Sequence, residues 1–513
     1  MNRNSAWFRK RLKPHKENNL NHQDAKAPRK TKNNFDSVFS FAVLGVLSSF
    51  AQWAKEIRTM PLTFWMSWKS GMASWRWIAV FLLFAGFAFA AEVETLRDVP
   101  STYMYPPRGF LPFNVHRGTA TLLSLMVPGA FFNDPRGIAC ALLKTDHDPN
   151  APQNDVVVTV IGVNSGAGEL LYNVGLKDLR RFGSLGKGDK QFTAPTGAAI
   201  DADGDVAVAD TGNNRVAFLK HDGLRLKWVR ALGKKGTEVG QFSGPLGLAF
   251  DSKDNLYIAD TGNNRIQVRD AQGNFHVLKT PPLERPSAIA VIDAGASWTF
   301  FHQGAYANRL AIIDQGGKRL QTLSLEGEPL VQFTVDSLPD PPAQFWGCAF
   351  DYYGNVVVTD FAKSCLRKFD KDLHYLVSFG TMGDDDFQFL EPRGIAIQNQ
   401  FGQILVAEKK SVQYFWVGAD AVSLKVQQEG PKIRIPYFLT EKAFVTAEIK
   451  TPKGVFLKTL ATNQDLEEGS QELDWAPDPS TPKGEYLLVM RVMASYSTRE
   501  RIAKEFSIRF QYE

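Results

Sequence analysis

One segment of about fifty residues returns along the middle of this 513-residue chain, and any fold must accommodate that period. PTGAAIDADGDVAVADTGNNRVAF (195–218) recurs as PLGLAFDSKDNLYIADTGNNRIQV (245–268), with an offset of fifty at every position. Weaker copies start at Pro135, Pro286, Phe345 and Pro392, and a leading Phe-x-x-Pro recurs at Phe132/Pro135, Phe192/Pro195, Phe242/Pro245 and Phe389/Pro392. The first copy reaches its next strand, Val156–Ile161, after an insertion, Asp146–Asn154. Within each copy, short apolar alternating runs are separated by turn residues, with Gly204 or Asn255 placed to take positive φ. Four strands per unit, six times over, predict a β-propeller, because a β-sandwich would not repeat one turn at a fixed period. Closure is expected from Thr119–Val127, read as the outer strand of the last blade; it precedes Phe132 and Pro135 as other fourth strands precede their Phe-x-x-Pro.

The pattern P-x-G-h-A-h-D followed by A-D-T-G-N-N-R (h apolar) resembles the NHL repeat, and six copies over residues 131–418 match the six-bladed NHL propeller. Ala288 replaces the glycine in the fourth unit, and Glu408 replaces the aspartate in the sixth. The Asp-Thr-Gly-Asn-Asn-Arg turn has oxygen ligands that could suit a cation. Its recurrence favours a structural role: Asp210 and Asp260 accept turn amides, and Arg215 and Arg265 brace the next strand. Cys348 and Cys365 fall on the first and third strands of one unit, about two strand spacings of ~4.8 Å apart, and are expected to be buried thiols.

The resemblance raises an enzymatic possibility, since the peptide-amidating lyase has this propeller and needs zinc-binding histidines with a tyrosine and an arginine. The eight histidines here (15, 22, 116, 147, 221, 276, 302 and 374) do not occupy the turn positions that would supply such a site. No calcium cage of the lactonase type is evident either. No catalytic residue, metal site or cofactor is therefore assigned. A binding surface is sought instead where the units differ. The residue inside P-x-G reads Arg136, Thr196, Leu246, Ser287, Trp346, Arg393 around the ring. Units five, six and one would be neighbours, clustering Trp346, Arg393 and Arg136, with Lys363 and Lys409 extending the patch. Guanidinium groups beside an indole suit a carboxylate, phosphate or anionic glycan.

Charge divides the chain. Residues 1–76 carry 14 Lys+Arg against 4 acids, a net of +10, whereas the remainder from Ala91 is −5 within an overall +5. The basic excess therefore says little about partners of the body, and no nucleic-acid partner is expected. The uncharged run Trp77–Ala91 ends in Ala88-Phe89-Ala90, with Arg76 upstream, and reads as a signal peptide over 72–90 or a single membrane anchor. Residues 1–71 read as a disordered or non-native extension. A second uncharged run, Ser37–Ala54, offers a rival membrane hairpin. The signal reading makes the body secreted or periplasmic in a bacterium, touching a membrane only through an uncleaved N-terminal segment.

Residues 91–130 read as linker and closing strand. After Gly418 the period stops, and 420–513 holds six or seven short strands, enough for a small sandwich. Pro452-Lys453-Gly454, Trp475, Gly484 and Tyr486 resemble the Ig-like domain of flagellar hook-capping proteins, with Trp475-Ala476-Pro477 in place of the usual Trp-Asp-Gly. That resemblance implies a spacer or a module attaching to a cell-envelope component, with Trp475 in its core. The chain as a whole reads as a non-catalytic recognition scaffold binding a protein, anionic glycan or peptide on one propeller face; the alternative is a metal-dependent lyase or hydrolase working in the channel.

Overall fold

The computed structural model describes residues 94–96, 102–104, 116–144, 158–174, 178–293, 307–398, 402–495 and 502–513. The expected extension 1–71, the signal segment 72–90 and the insertion Asp146–Asn154 lie outside the described residues. Among those described, no helix is long and apolar enough to cross a membrane. Two compact units are distinguished, Met1–Ala90 and Ala91–Glu513, and the described residues all belong to the second.

The protein is an all-β propeller. Five antiparallel four-stranded sheets follow one another in sequence order. The first is Pro135–Ala141, Thr159–Asn164, Glu169–Val174 and Asp178–Phe182; the second runs from Ala198–Ile200 to Leu226–Leu232. The third, fourth and fifth begin at Leu248–Phe250, Ala288–Ile292 and Phe345–Phe350. A sixth sheet is built on Ile395–Gln398, Gln403–Ala407 and Val412–Val417. The leading strands of the six sheets touch in cyclic order, with Ile395–Gln398 returning to Pro135–Ala141. Apolar side chains between neighbouring sheets form the core; Ile161, Val206 and Val208, for example, are buried between the first two.

The glycine of each P-x-G is explained by this ring. A Cβ on Gly197 would lie 2.2 Å from the Leu246 carbonyl oxygen, and one on Gly137 would lie 2.1 Å from that of Thr196. The leading strands approach too closely there for any side chain. At the hairpin turns, positive φ falls on Gly204 (89°) and Asp254 (62°), which occupy the same place in consecutive units. Asn255, the residue expected to take that conformation, instead donates to Asp251 at 2.8 Å.

The closing strand differs from expectation. Thr119–Val127 is not a strand: Ala120–Met126 forms a helix capped by Thr119, whose Oγ1 accepts the Leu122 amide at 3.3 Å. Thr119 is a favoured N-cap type, and the Ala-Thr-Leu-Leu-Ser-Leu-Met run after it puts Leu123 and Met126 on one face, packed toward Leu171 and Leu179 of the first sheet. The ring is closed instead by Tyr103–Met104 and Arg117–Gly118, which both pair antiparallel with Val412–Val417.

After the sixth sheet the chain builds a β-sandwich. One sheet has the order Glu94–Leu96, Ile502–Tyr512, Gly484–Ala494, Ala443–Lys450, Phe456–Leu466; the other joins Ala421–Val422, Gln427–Glu429, Lys432–Leu439 and Gly469–Trp475. Burial alternates residue by residue along Lys432–Leu439 and Ala443–Lys450, as a sheet with one dry face requires. Trp475 is buried in this core, 5.2 Å from the Tyr486 ring.

Candidate functional site

The recurring aspartate turn is an internal brace. Asp210 is fully buried; Oδ1 accepts the Thr193 amide at 2.8 Å, and Oδ2 accepts Asn213 Nδ2 at 2.8 Å and Arg215 Nε at 2.7 Å. Arg215 also donates to the carbonyls of Gly188 and Gln191, each at 2.9 Å, so it secures the incoming loop more than the following strand. Asp260 repeats the arrangement with Ser243, Asn263 and Arg265. In the sixth unit Glu408 takes the same part, accepting the Leu390 amide at 2.6 Å; burial pushes its carboxyl above the ordinary range. The turn carboxylates are thus committed to partners within the protein. Cys348 and Cys365 are buried free thiols, and burial pushes both up to about 12.

At the mouth of the central channel lies a cavity of about 310 Å³. Arg136 and Trp346 line it, together with Thr196, Leu246, Ser287 and Arg285. The structure brings four of the five expected residues together. Arg393 Cζ sits 5.3 Å from the centre of the Trp346 ring and 5.5 Å from that of Phe361, so its guanidinium is stacked against two aromatic side chains. Arg393 also pairs with Asp134 and, at 3.2 Å, with Glu391; Arg136 Nε meets the same Asp134 at 2.8 Å; Lys409 Nζ meets Glu391 at 2.6 Å. Lys363 belongs elsewhere: its Nζ lies 3.9 Å from Asp340, which also pairs with Arg367 at 2.7 Å.

Three cations and two carboxylates therefore form one network, and its excess charge is a single positive unit. Burial works against the Asp134 carboxylate, but hydrogen bonds and charge from Arg393 and Arg136 hold its pKa below the usual range. Lys409 does the same for Glu391. The bare anion-binding patch expected from the cations alone is in large part already neutralised. Asp134, Glu391 and Phe361 were not anticipated from the sequence. A signal was present: Asp134 and Glu391 both stand immediately before the proline of P-x-G, and both have positive φ (55° and 49°).

Arg285 occupies that same position in the fourth unit, with φ of 50°. Its backbone amide donates to Asn264 Oδ1 at 2.8 Å. Among the described residues no carboxylate pairs with its guanidinium, and the side chain is exposed at the channel mouth. Ala194 and Gly244 share the positive φ, so the conformation belongs to the crossover between sheets. Among the described residues no group of three or more His, Cys, Asp or Glu side chains converges as metal ligands would.

The NHL repeat profile matches residues 192–217 and 242–268, the second and third units. The chain carries NHL repeats. No curated protein matches the chain. Similar solved structures include a streptogramin B lyase (13% identity, TM-score 0.39, covering 56% of this chain and 94% of that one). A virginiamycin B lyase from Staphylococcus aureus follows at 12% identity and TM-score 0.36, covering 60% and 92%. A gluconolactonase from Xanthomonas campestris has 12% identity and TM-score 0.40, covering 63% and 100%. Likeness at this level says nothing about the chemistry at the mouth of these NHL repeats.

Proposed function

We propose that this NHL-repeat propeller is a non-catalytic recognition scaffold whose channel mouth takes an anionic group from a glycan or peptide. The observation that carries the reading is the asymmetry of the mouth. One wall presents the Trp346 ring stacked on Arg393, with Arg136 on the same lining, the two arginines held by Asp134 and Glu391; Arg285, lining the same cavity, has no acid partner among the described residues. A guanidinium without a carboxylate partner is free to donate to a ligand carboxylate, and a held indole offers a flat apolar surface for a sugar or a peptide side chain. The metal-dependent lyase or hydrolase alternative has no comparable support, because the described cavity lining supplies hydroxyl, amide, indole and guanidinium groups and one thiol, Cys348, but no histidine or carboxylate to join it.

The reading extends to an exported bacterial protein, secreted or periplasmic, on the strength of the 72–90 segment, and to an Ig-like C-terminal sandwich that serves as a spacer or envelope-attachment module. Uronate-containing oligosaccharides and acidic peptides, titrated into the full chain by calorimetry, test the binding. The Arg285→Ala variant is expected to weaken a binder at least tenfold, and Trp346→Ala should do the same. If neither probe class binds, or if both variants bind a responding probe as the parent does, the reading fails.

A further inference from the structure

A second cavity, of about 110 Å³, lies at the seam where the sixth sheet meets the first, with Gly137 and Ile138 forming a wall between it and the channel-mouth cavity. Its origin can be read residue by residue. Gly162 pairs with Ile138, the residue after the P-x-G glycine of the first unit. The corresponding pairs in other units are Ala198 with Val208, Leu248 with Ile258, Ile289 with Ile312, Cys348 with Val358, and Ile395 with Val406. Five units thus place a β-branched side chain here, each fully buried against the preceding sheet. The first unit places nothing.

Gly162 is not required by its own backbone. It has no positive φ, and an added Cβ would meet only the Leu171 carbonyl oxygen, at an ordinary 3.6 Å. Most P-x-G glycines, by contrast, are excluded from carrying a side chain by backbone closer than 3.0 Å. The missing side chain is therefore expressed as open volume. Val160, Ile138, Leu405 and Ala407 surround it, and Leu122, Leu123 and Met126 of the Ala120–Met126 helix form an outer wall.

The few polar groups on the lining are already engaged. Asn173 Oδ1 accepts the Val160 amide at 2.6 Å and its Nδ2 donates to the Val158 carbonyl at 2.8 Å; Asn164 is bound to Asn133, Phe131 and Glu169; Asp178 is paired with Arg180. A water there would find few partners, whereas an apolar lining of this size suits xenon or benzene.

We propose that this seam is a binding site for a small uncharged hydrocarbon, no larger than a benzene ring, occupying the place that a β-branched side chain fills in the other five units. The site shares only Gly137 and Ile138 with the channel-mouth cavity, and its test does not depend on the reading of that mouth. Xenon is the direct probe. Titrated into the full chain, it is expected to give a saturable 129Xe chemical-shift change that benzene displaces competitively. Gly162→Val should abolish the saturable component and raise the melting temperature, and Gly162→Ala should reduce xenon affinity several-fold while leaving the fold intact should the larger variant misfold. A saturable shift of equal size in the parent and in folded Gly162→Val or Gly162→Ala would overturn the proposal, as would a purely non-saturable response in the parent.

Discussion

At the residue scale, two classes of glycine behave oppositely although the sequence writes them alike. Gly197 is fixed by the Leu246 carbonyl across the ring, and the nearest obstruction is backbone that cannot rotate away. Gly197→Ala is expected to destabilise the propeller by about 1–3 kcal/mol, the usual cost of overpacking, as measured by chemical denaturation. A loss below a few tenths would contradict the close approach. The repeat itself announced Gly197, and the aspartate turn was legible in outline as well: Asp210 and Asp260 do accept backbone amides. Asp134 and Glu391 stand two residues before Arg136 and Arg393, so those local pairs left a trace in the sequence; what could not be read was the link between the units. Asp134 and Arg393 stand 259 residues apart, and only the closing of the ring brings them into contact. Sequence spacing identifies which side chains share a face of one unit, but not which acid of the neighbouring unit lies against them.

At the scale of elements, the repeat made most of the six sheets visible, and it failed where the period ends. Thr119–Val127 has the length and apolarity of a strand, and its place before Phe132 matched the rule of the other units. The N-capping threonine, with Leu123 and Met126 spaced for one helical face, outweighed that analogy once Tyr103–Met104 and Arg117–Gly118 had taken the free edge of Val412–Val417. Those two short strands remove the exposed edge a propeller would otherwise leave. Tyr103 is 1% exposed and packs edge-on against Phe379, with ring centres 5.2 Å apart. Tyr103→Ala is expected to cost about 3–5 kcal/mol in urea titration, in keeping with large aromatic truncations in cores. A much smaller cost would mean that closure does not depend on this strand.

For the molecule as a whole, the propeller and the sandwich meet over a buried ionic group. Lys368, on the Cys365–Phe369 strand of the fifth sheet, is paired with Glu441 of the sandwich and lies 3.4 Å from Asp351; all three are within 1% of complete burial. Glu468 adds further negative charge nearby. Burial, with Asp351 and Glu468 adding to it, outweighs the attraction of Lys368 and pushes Glu441 up to about 8. Burial disfavours the Lys368 ammonium, but the surrounding carboxylates keep it charged. Because the folded-state pKa of Glu441 lies above its unfolded value, its contribution is full below about pH 4.5 and is lost as pH rises through 8. Stability measured by urea titration at pH 6, 7, 8 and 9 is expected to fall across that window in the parent and to fall less in Glu441→Gln. Identical slopes would show that Glu441 titrates near its ordinary value in the folded protein.

The sandwich also pairs segments far apart in the sequence: Glu94–Leu96 lies parallel to Ile502–Lys504. Between them stand all six sheets of the propeller. During synthesis, the segment that emerges before the first sheet must wait for a partner made some four hundred residues later. Until Ile502–Tyr512 is released, Gly484–Ala494 lacks its neighbour on that side and the sandwich shows a bare edge, however complete the ring already is. Completion of the sandwich therefore waits on Ile502–Tyr512, and a chain lacking that strand would carry a finished propeller beside an open, adhesive sheet edge.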